Sequence, residues 1–163
     1  MGHIARRLAC GVMDLELGRV TDRKPPFKFS SLTRVGFSDT DAQGIVYYGR
    51  YFPYVDVARV EYFRHLGLLH AEFEGDLVLR ALNIEYHAPA RFDDLLEIFI
   101  RAQRIGRTSM TFESKVYRVD DDVLMATVHQ TVVLVDLEER KACPVPDELR
   151  DRLRAFEGDD LEA

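Results

Sequence analysis

A short acidic loop followed by a helix is the part of this sequence whose chemistry is easiest to foresee. Residues 34–67 begin with apolar-polar alternation, as in a strand, and end with apolar residues at helical spacing. Between them lies a polar turn with Asp39, Asp41 and Gly44. The carboxylate of Asp41 therefore precedes a helix N-terminus, where free backbone N–H groups and the positive end of the helix dipole lie. Such an arrangement can place an acid beside a site that stabilises an oxyanion.

Length and composition predict one soluble domain. The chain has 163 residues, of which 47% are hydrophobic and 31% charged, as is typical of globular proteins that bury a sizeable core. It has no apolar run that approaches a membrane span, and its net charge of -6 disfavours nucleic acid as a partner. Cys10 and Cys143 have neither metal-ligand nor redox spacing, so we expect reduced thiols and a cytoplasmic protein without a targeting signal.

Hydrophobic periodicity predicts the order of the elements. Residues 31–38 alternate as a strand does, and an apolar stripe through Tyr51, Val55, Ala58 and Tyr62 predicts a helix of about 18 residues. Four later segments are rich in β-branched and aromatic residues and are separated by turn residues: 77–87, 95–105, 109–119 and 123–135. We therefore predict an α+β fold in which a long central helix is wrapped by an antiparallel sheet of about five strands.

Proline, glycine and charge suggest where the domain begins and ends. Residues 1–28 mix basic residues, glycines and the Pro25-Pro26 pair, which indicates a poorly ordered or loosely docked tail. The domain is expected to span residues 29–150. Residues 151–163 are interpreted as an acidic tail, with a short helix possible over residues 147–156.

The acidic loop and the helix entry resemble a known family. Residues 39–48, followed by Tyr51, Ala58, Arg59 and Glu61, are similar to the motif of hot-dog-fold acyl-CoA thioesterases of the 4-hydroxybenzoyl-CoA thioesterase family. The likeness continues later in the chain, at Pro89 and at residues 92–95, 106–109 and 144–149. The resemblance implies the hot-dog fold and the hydrolysis of an acyl- or aryl-CoA thioester to the free acid and coenzyme A.

By this resemblance, Asp41 is the catalytic carboxylate and the backbone N–H of Tyr48 polarises the thioester carbonyl. Asp41 can act as a nucleophile that forms a mixed anhydride or as a base for water, and the sequence leaves both open. The Tyr48 N–H lies in the first helical turn and so has no partner within the helix. Gly44 can let the loop turn back toward the ligand without a side-chain clash. The resemblance implies a reaction that requires no metal. It also implies no separate cofactor, because coenzyme A is part of the substrate.

Other residues are candidates for binding the substrate. The resemblance places basic residues of a hairpin near the phosphates of coenzyme A, and here these are Arg104 and Arg107. Arginine forks suit phosphate oxygens, although a hairpin arginine is by default simply solvated. Tyr47 and Tyr51 are further candidate contacts, whose commoner role is packing.

Structural roles are the alternative for several of these side chains. Asp39 is expected to be a helix cap. Glu61 is expected to form a local ion pair, with a reserve role as catalyst because some hot-dog thioesterases use a helix glutamate. The remaining histidines lack metal-ligand spacing and are interpreted as structural: His65, His70, His87 and His129.

Two other functions fit the same fold. One is a non-catalytic acyl-CoA-binding domain, in which Asp41 would have no evident purpose. The other is a hydratase or dehydratase, which pairs a histidine with an acid near the helix. That function is less favoured because the sequence has no histidine between His3 and His65 to move a proton beside Asp41.

The exposed edges of a five-stranded sheet predict self-association. Hot-dog proteins join two sheets edge to edge and form the active site between the two copies, so the resemblance implies a dimer or a tetramer of two dimers.

Overall fold

The structure, a computed structural model, describes residues 17–69, 71 and 73–162. Within them an antiparallel sheet curves around one long helix. The strands are β1 (Gly18–Lys24), β2 (Phe27–Arg34), β3 (Asp76–Tyr86), β4 (Leu95–Ile105), β5 (Ser109–Arg118), β6 (Leu124–Asp136) and β7 (Lys141–Ala142). The helices are α1 (Tyr51–His65) and α2 (Asp147–Glu157), with short 3-10 turns at Phe37–Asp39, Tyr48–Arg50 and Gly158–Asp160. The predicted α+β fold, a central helix wrapped by an antiparallel sheet, is confirmed.

The order of strands in the sheet explains why α1 lies across its inner face. The order is β1-β2-β4-β5-β6-β3, with β7 paired to β6. The strands β4, β5 and β6 form the meander expected from their short turns. The strand β3 follows α1 in sequence but pairs with β6, on the far side of the sheet from β2. The helix therefore carries the chain from one side of the sheet to the other.

The predicted stripe of α1 faces the core. Tyr51, Val55, Ala58 and Tyr62 are all buried, as the helical spacing indicated. They pack against apolar side chains of the inner sheet face, which include Phe29, Ile98, Ile100, Phe112, Val116 and Val128. The long helix has 15 residues, and the 3-10 turn before it accounts for the remaining length of the predicted segment.

Proline and glycine set the two ends of α1. Pro53 is the third helical residue, where its missing N–H has no intrahelical partner to lose. Gly67 follows the helix with φ of 68°, a left-handed conformation that favours glycine and ends helices. No helix among the described residues is long and apolar enough to cross a membrane.

The interpretation of residues 1–28 as a tail is wrong from residue 18 onward. The strand β1 pairs with β2 in an antiparallel hairpin, so the sheet gains an edge strand that the sequence did not reveal. Its sequence is mostly polar, and it is anchored by ion pairs from Arg19 and Arg23 to the buried carboxylate of Glu97, at 3.0 Å and 2.5 Å. Residues 1–16 lie outside the described part of the chain.

Two other predicted boundaries also shift. The first long strand of the core occupies Phe27–Arg34 rather than residues 31–38, because the chain enters a 3-10 turn at Phe37. The domain does not end at residue 150, because α2 continues to Glu157 and buries Leu153 and Glu157. Residues 151–157 therefore belong to the folded domain and not to an acidic tail.

Candidate active site

Backbone hydrogen bonds hold the acidic loop against the segment that joins β3 to β4. The N–H of Val35 donates to the carbonyl of Asp94 at 3.0 Å, and the N–H of Val46 donates to the carbonyl of Ala90 at 2.8 Å. Both ends of the loop are thus fixed to the same neighbouring segment. The residues between them are held at the end of the sheet where α1 begins.

Asp41 lies in a tight turn that leaves most of its carboxylate available. Its N–H donates to the carbonyl of Ile45 at 2.9 Å, and the N–H of Gln43 donates to Asp41 Oδ1 at 2.8 Å. Gly44 has φ of 75°, which a side chain would strain, so the predicted role of this glycine in turning the loop is consistent with its backbone. Among the described residues, no other group donates a hydrogen bond to the Asp41 side chain.

Asp39 is the structural carboxylate of the loop, although it does not cap α1. It is buried and accepts hydrogen bonds from the N–H of Gly36 at 2.8 Å, from Arg50 Nε at 2.7 Å and from Tyr54 Oη at 2.6 Å. Burial acts to raise the pKa of Asp39, but the hydrogen bonds from Tyr54 and Arg50 outweigh it and hold the pKa below its ordinary value. Asp39 therefore ties the loop to the start of the helix through two side chains.

The 3-10 turn that precedes α1 begins at Tyr48. The backbone N–H of Tyr48 has no acceptor among the described residues, as expected for the first residue of a helical turn. Its carbonyl, in contrast, accepts a hydrogen bond from the hydroxyl of Tyr86 at 2.9 Å. The donor that the sequence predicted for an oxyanion is therefore free.

A cavity of about 320 Å³ brings these groups together. It is lined by Asp41, Gln43, Ile45, Val46, Tyr48, Tyr51, Tyr86, His87, Ala88 and Pro89. A second cavity, of about 400 Å³, is lined by Asp41, Ala42, Gln43, Tyr47 and Tyr48. Asp41 and Tyr48 border both cavities, so a bound molecule can extend to either side of them.

Two tyrosines of the first cavity, Tyr51 and Tyr86, keep their hydroxyl protons at neutral pH. Burial raises the pKa of Tyr51, and burial also raises the pKa of Tyr86. Tyr51 is almost fully buried and Tyr86 is half exposed, and their rings meet edge to face with centroids 5.5 Å apart. Tyr51 thus combines the predicted packing role with a place in the cavity wall.

The predicted arginines lie far from Asp41 within one chain. The loop that carries Asp41 adjoins the start of β4, whereas Arg104 lies near the end of this 11-residue strand and Arg107 in the turn beyond it. At about 3.3 Å per residue, roughly 30 Å of strand separates the two ends. Both arginines are exposed. A single copy of the chain therefore does not bring Arg104 and Arg107 to the cavity.

Glu61 forms the predicted local ion pair. Its carboxylate lies 3.3 Å from Arg64 Nε, one helical turn further along α1. The residue does not line the cavity that contains Asp41.

Tyr86 and His87 line the cavity but were not identified as site residues from the sequence. Tyr86 is the last residue of β3, and the sequence predicted it only as part of the strand segment 77–87. His87 was interpreted as structural, but it is exposed and lines the cavity, with Nε2 3.0 Å from Thr127 Oγ1. No histidine lies near Asp41 along the sequence, but the fold brings His87 to the same cavity as Asp41. The argument that Asp41 has no histidine nearby is therefore wrong.

The donor set offers no metal centre in the described part of the chain. There, no group of three or more histidine, cysteine, aspartate or glutamate side chains is arranged to hold a metal ion.

Known proteins are similar to this chain over the region that contains the candidate site. The model of the thioesterase-like superfamily matches residues 35–153. The acyl-CoA thioesterase YbgC of Haemophilus influenzae is 32% identical over 126 residues, which cover 75% of this chain and 91% of that protein. The acyl-CoA thioester hydrolase YbgC of Escherichia coli O157:H7 is 33% identical over 116 residues, which cover 69% of this chain and 86% of that protein.

Solved structures are similar over most of the described chain. A hypothetical protein from Aquifex aeolicus superposes with a TM-score of 0.69 at 29% identity and covers 76% of this chain and 98% of its own. A thioesterase superfamily protein from Jannaschia sp. CCS1 superposes with a TM-score of 0.75 at 22% identity and covers 85% of this chain and 89% of its own. The second likeness concerns the fold alone.

Proposed function

The chain belongs to the thioesterase-like superfamily, and on this premise we propose that it is an acyl-CoA thioesterase, which hydrolyses an acyl- or aryl-CoA thioester to the free acid and coenzyme A. The observation that carries the proposal is that the Asp41 carboxylate and the Tyr48 turn border the same cavity. Thioester hydrolysis needs a group that delivers oxygen to the carbonyl carbon and a donor that stabilises the resulting oxyanion. Asp41 and the Tyr48 N–H supply these two functions.

The chemistry can follow either of two balanced routes. In the first, Asp41 takes a proton from water, the water oxygen bonds to the carbonyl carbon, the C–S bond breaks, and the thiolate of coenzyme A takes up a proton. In the second, the Asp41 carboxylate attacks the carbonyl carbon and expels the thiolate, and water then hydrolyses the mixed anhydride. In both routes the Tyr48 N–H donates to the carbonyl oxygen as negative charge develops there. Neither route requires a cofactor.

The environments of the two loop aspartates support Asp41 as the reacting group. Both oxygens of Asp39 are occupied by donors from Gly36, Arg50 and Tyr54. Such a carboxylate is a poor base because those bonds stabilise its charged form. Asp41 accepts from the Gln43 N–H through one oxygen, and its side chain is open to the cavity.

A second copy of the chain is the proposed source of the coenzyme A contacts. The strand β3 pairs with β6 on one side, and its other edge has no strand beside it in the described chain. Tyr86, at the end of β3, lies near Asp41, whereas Asp76, at its start, lies opposite Val135 near the β4–β5 hairpin. A two-fold axis pairs β3 with its copy antiparallel, which brings the hairpin end of the second copy toward Asp41. Arg104 and Arg107 of that copy would then bind the phosphates.

The test is the release of thiol from a panel of aryl- and aliphatic acyl-CoA substrates, followed with a chromogenic thiol reagent. We expect steady turnover with at least one substrate. The mass by light scattering should be that of two or more 18.8 kDa chains. Tight binding without thiol release would instead support an acyl-CoA-binding domain. A monomer at micromolar concentration would contradict the shared site.

A hydratase or dehydratase is the second candidate because His87 lines the same cavity as Asp41. A histidine beside a carboxylate can move a proton at neutral pH. The two enzymes differ in their products, since hydration of an enoyl-CoA consumes the double bond and releases no thiol. Loss of enoyl absorbance without thiol release would favour this second function.

A further inference from the structure

We infer that Tyr86 is a positioning residue for the thioesterase reaction: its hydroxyl holds the Tyr48 turn so that the Tyr48 N–H points at the substrate carbonyl. This inference rests on the proposed function. Tyr86 belongs to β3 and Tyr48 to the 3-10 turn before α1, and they are 38 residues apart in sequence. The hydrogen bond between them joins the edge of the sheet to the helix entry.

The two ends of the Tyr48 turn are held differently. Its last residue, Arg50, is tied to Asp39 by its guanidinium, whereas its N-cap residue, Tyr47, makes no side-chain cap hydrogen bond. The side chain of Tyr48 is exposed and lies against the ring of Tyr47, which is also exposed, at a centroid distance of 4.2 Å. The Tyr48 end can therefore tilt about the anchored Arg50 end, and a tilt would redirect the Tyr48 N–H.

Tyr86 is itself held firmly enough to restrain that turn. Its backbone pairs with Ala126 of β6, and its ring packs edge to face on Tyr51, which is 2% exposed. From this position the hydroxyl donates to the Tyr48 carbonyl at 2.9 Å. The raised pKa of Tyr86, caused first by burial, keeps the hydroxyl protonated and therefore a donor. The Tyr48 end of the turn is thus held by the hydrogen bond from Tyr86, while its other end is held by the pair of Arg50 with Asp39.

The hydrogen bond acts on orientation and not on affinity. The hydroxyl of Tyr86 is bonded to the protein, so its removal takes away no contact that the substrate makes equally in the ground state and the transition state. A misdirected Tyr48 N–H weakens the bond to the oxyanion, which exists only in the transition state. The predicted signature is a lower kcat with an unchanged KM.

The experiment compares Tyr86→Phe with Tyr117→Phe. The first change removes the hydroxyl and keeps the ring that packs on Tyr51. The second removes a hydroxyl that has no hydrogen-bond partner among the described residues, on a ring that packs against Phe99 on the outer sheet face. We expect kcat to fall about 5- to 10-fold in Tyr86→Phe, as for the loss of one hydrogen bond of roughly 1 kcal/mol, with KM within about two-fold of the parent. Tyr117→Phe should match the parent.

A readout without substrate separates this inference from the proposed function. In the ¹H–¹⁵N spectrum of the parent, the amides of Tyr48 and Gly49 should shift and exchange faster with solvent after Tyr86→Phe but not after Tyr117→Phe. If the parent hydrolyses no thioester, the proposed function fails, and these amides still decide whether Tyr86 orients the turn. Unchanged amides, an unchanged kcat, a rise in KM alone or a failure of Tyr86→Phe to fold would each overturn the positioning role.

Discussion

Two aspartates separated by one residue have opposite surroundings in this protein. Asp39 is buried and bonded to Arg50 and Tyr54, whereas Asp41 is half-buried and faces a cavity. The difference comes from the two turns that hold them. Asp39 ends the 3-10 turn that lies against Arg50 and Tyr54, whereas Asp41 begins the tight turn closed by its N–H bond to Ile45. Residue type alone did not distinguish them, and the family resemblance did.

Replacement of the Asp41 carboxylate tests its chemical role. Asp41→Asn should keep the fold, because the amide oxygen can still accept from the Gln43 N–H. It should lower kcat by about 10²- to 10⁴-fold, since an amide cannot serve as a general base, and by more if Asp41 is the nucleophile. The matched control is Glu61→Gln, which alters only the pair with Arg64 and should keep near-parent turnover. Inactive Glu61→Gln with active Asp41→Asn would transfer the catalytic role to the helix glutamate.

Asp39 should instead control stability in acid. Its pKa in the folded protein is below the ordinary value of 3.8, so its contribution to stability is present above that value and is lost as the pH falls through the lower folded pKa. Asp39→Asn lacks this contribution and should melt at a lower temperature than the parent at pH 7. The gap between the two melting temperatures should narrow as the pH falls below 3.8. Thermal unfolding between pH 2.5 and pH 7 measures this, and a constant gap would contradict the assignment.

At the scale of elements, the helix was predictable and the edge strand β1 was not. The spacing of Tyr51, Val55, Ala58 and Tyr62 identified the buried face of α1 because a helix that packs on a sheet must carry an apolar stripe. The strand β1 carries mainly polar side chains and is stabilised by pairing with β2 and by ion pairs to Glu97. Such contacts leave no hydrophobic period in the sequence.

The residues of the candidate site also differ in whether the sequence suggested them. Asp41 and Tyr48 were proposed from the family resemblance, and one short segment carries both to the wall of the same cavity. Tyr86 was not proposed, because its contact with Tyr48 depends on the pairing of β3 with β6 at the far side of the sheet. Pairing between distant strands is specified by the whole fold, and no local pattern near residue 86 indicates it.

The helix α2 contains the buried carboxyl of Glu157, whose ionisation at rising pH should lower the stability of the folded protein. Oε1 of Glu157 accepts from Tyr62 Oη at 2.6 Å and from the N–H of Ala102 at 3.0 Å, while Oε2 has no partner among the residues that the structure describes. Burial raises the pKa of Glu157, so the protonated form is favoured in the folded state. Its stabilising contribution is fully present below the ordinary value of 4.5 and is lost as the pH rises through the folded pKa.

Glu157→Gln should remove the cost of burying an ionised carboxylate at high pH. The amide oxygen can accept from Tyr62 and Ala102 as the carboxyl does, and the amide carries no charge to bury. We expect a melting temperature close to the parent at pH 4 and above the parent at pH 8. Glu148→Gln is the control, because Glu148 is exposed on the same helix and pairs with Arg152 at 2.7 Å. A Glu157→Gln protein that is less stable than the parent at pH 8 would mean that the carboxylate is required in its charged form.

At the scale of the whole molecule, the separation between Asp41 and the arginine hairpin is the main reason to expect a shared site. The two regions lie at opposite ends of β4 in one chain. In the proposed dimer, antiparallel pairing of β3 with its copy would exchange the ends, so each cavity would face the hairpin of the other copy. Arg107→Ala should then raise KM for acyl-CoA more than it lowers kcat, because a phosphate contact is made in the ground state and the transition state alike.

Mixed dimers determine which copy supplies the arginine. A mixed dimer contains one Asp41→Asn chain and one Arg107→Ala chain. If the site is shared, one of its cavities carries both changes. The other cavity has an intact Asp41 and the intact Arg107 of the opposite copy. After unfolding and refolding of an equimolar mixture, half of the dimers are mixed, so about a quarter of the parental low-KM sites should return. If Arg107 serves the cavity of its own chain, every cavity with an intact Asp41 lacks it, and only high-KM activity remains. Steady-state kinetics on the refolded mixture, compared with each variant refolded alone, distinguishes a hairpin that acts across the interface from one that acts within its own chain.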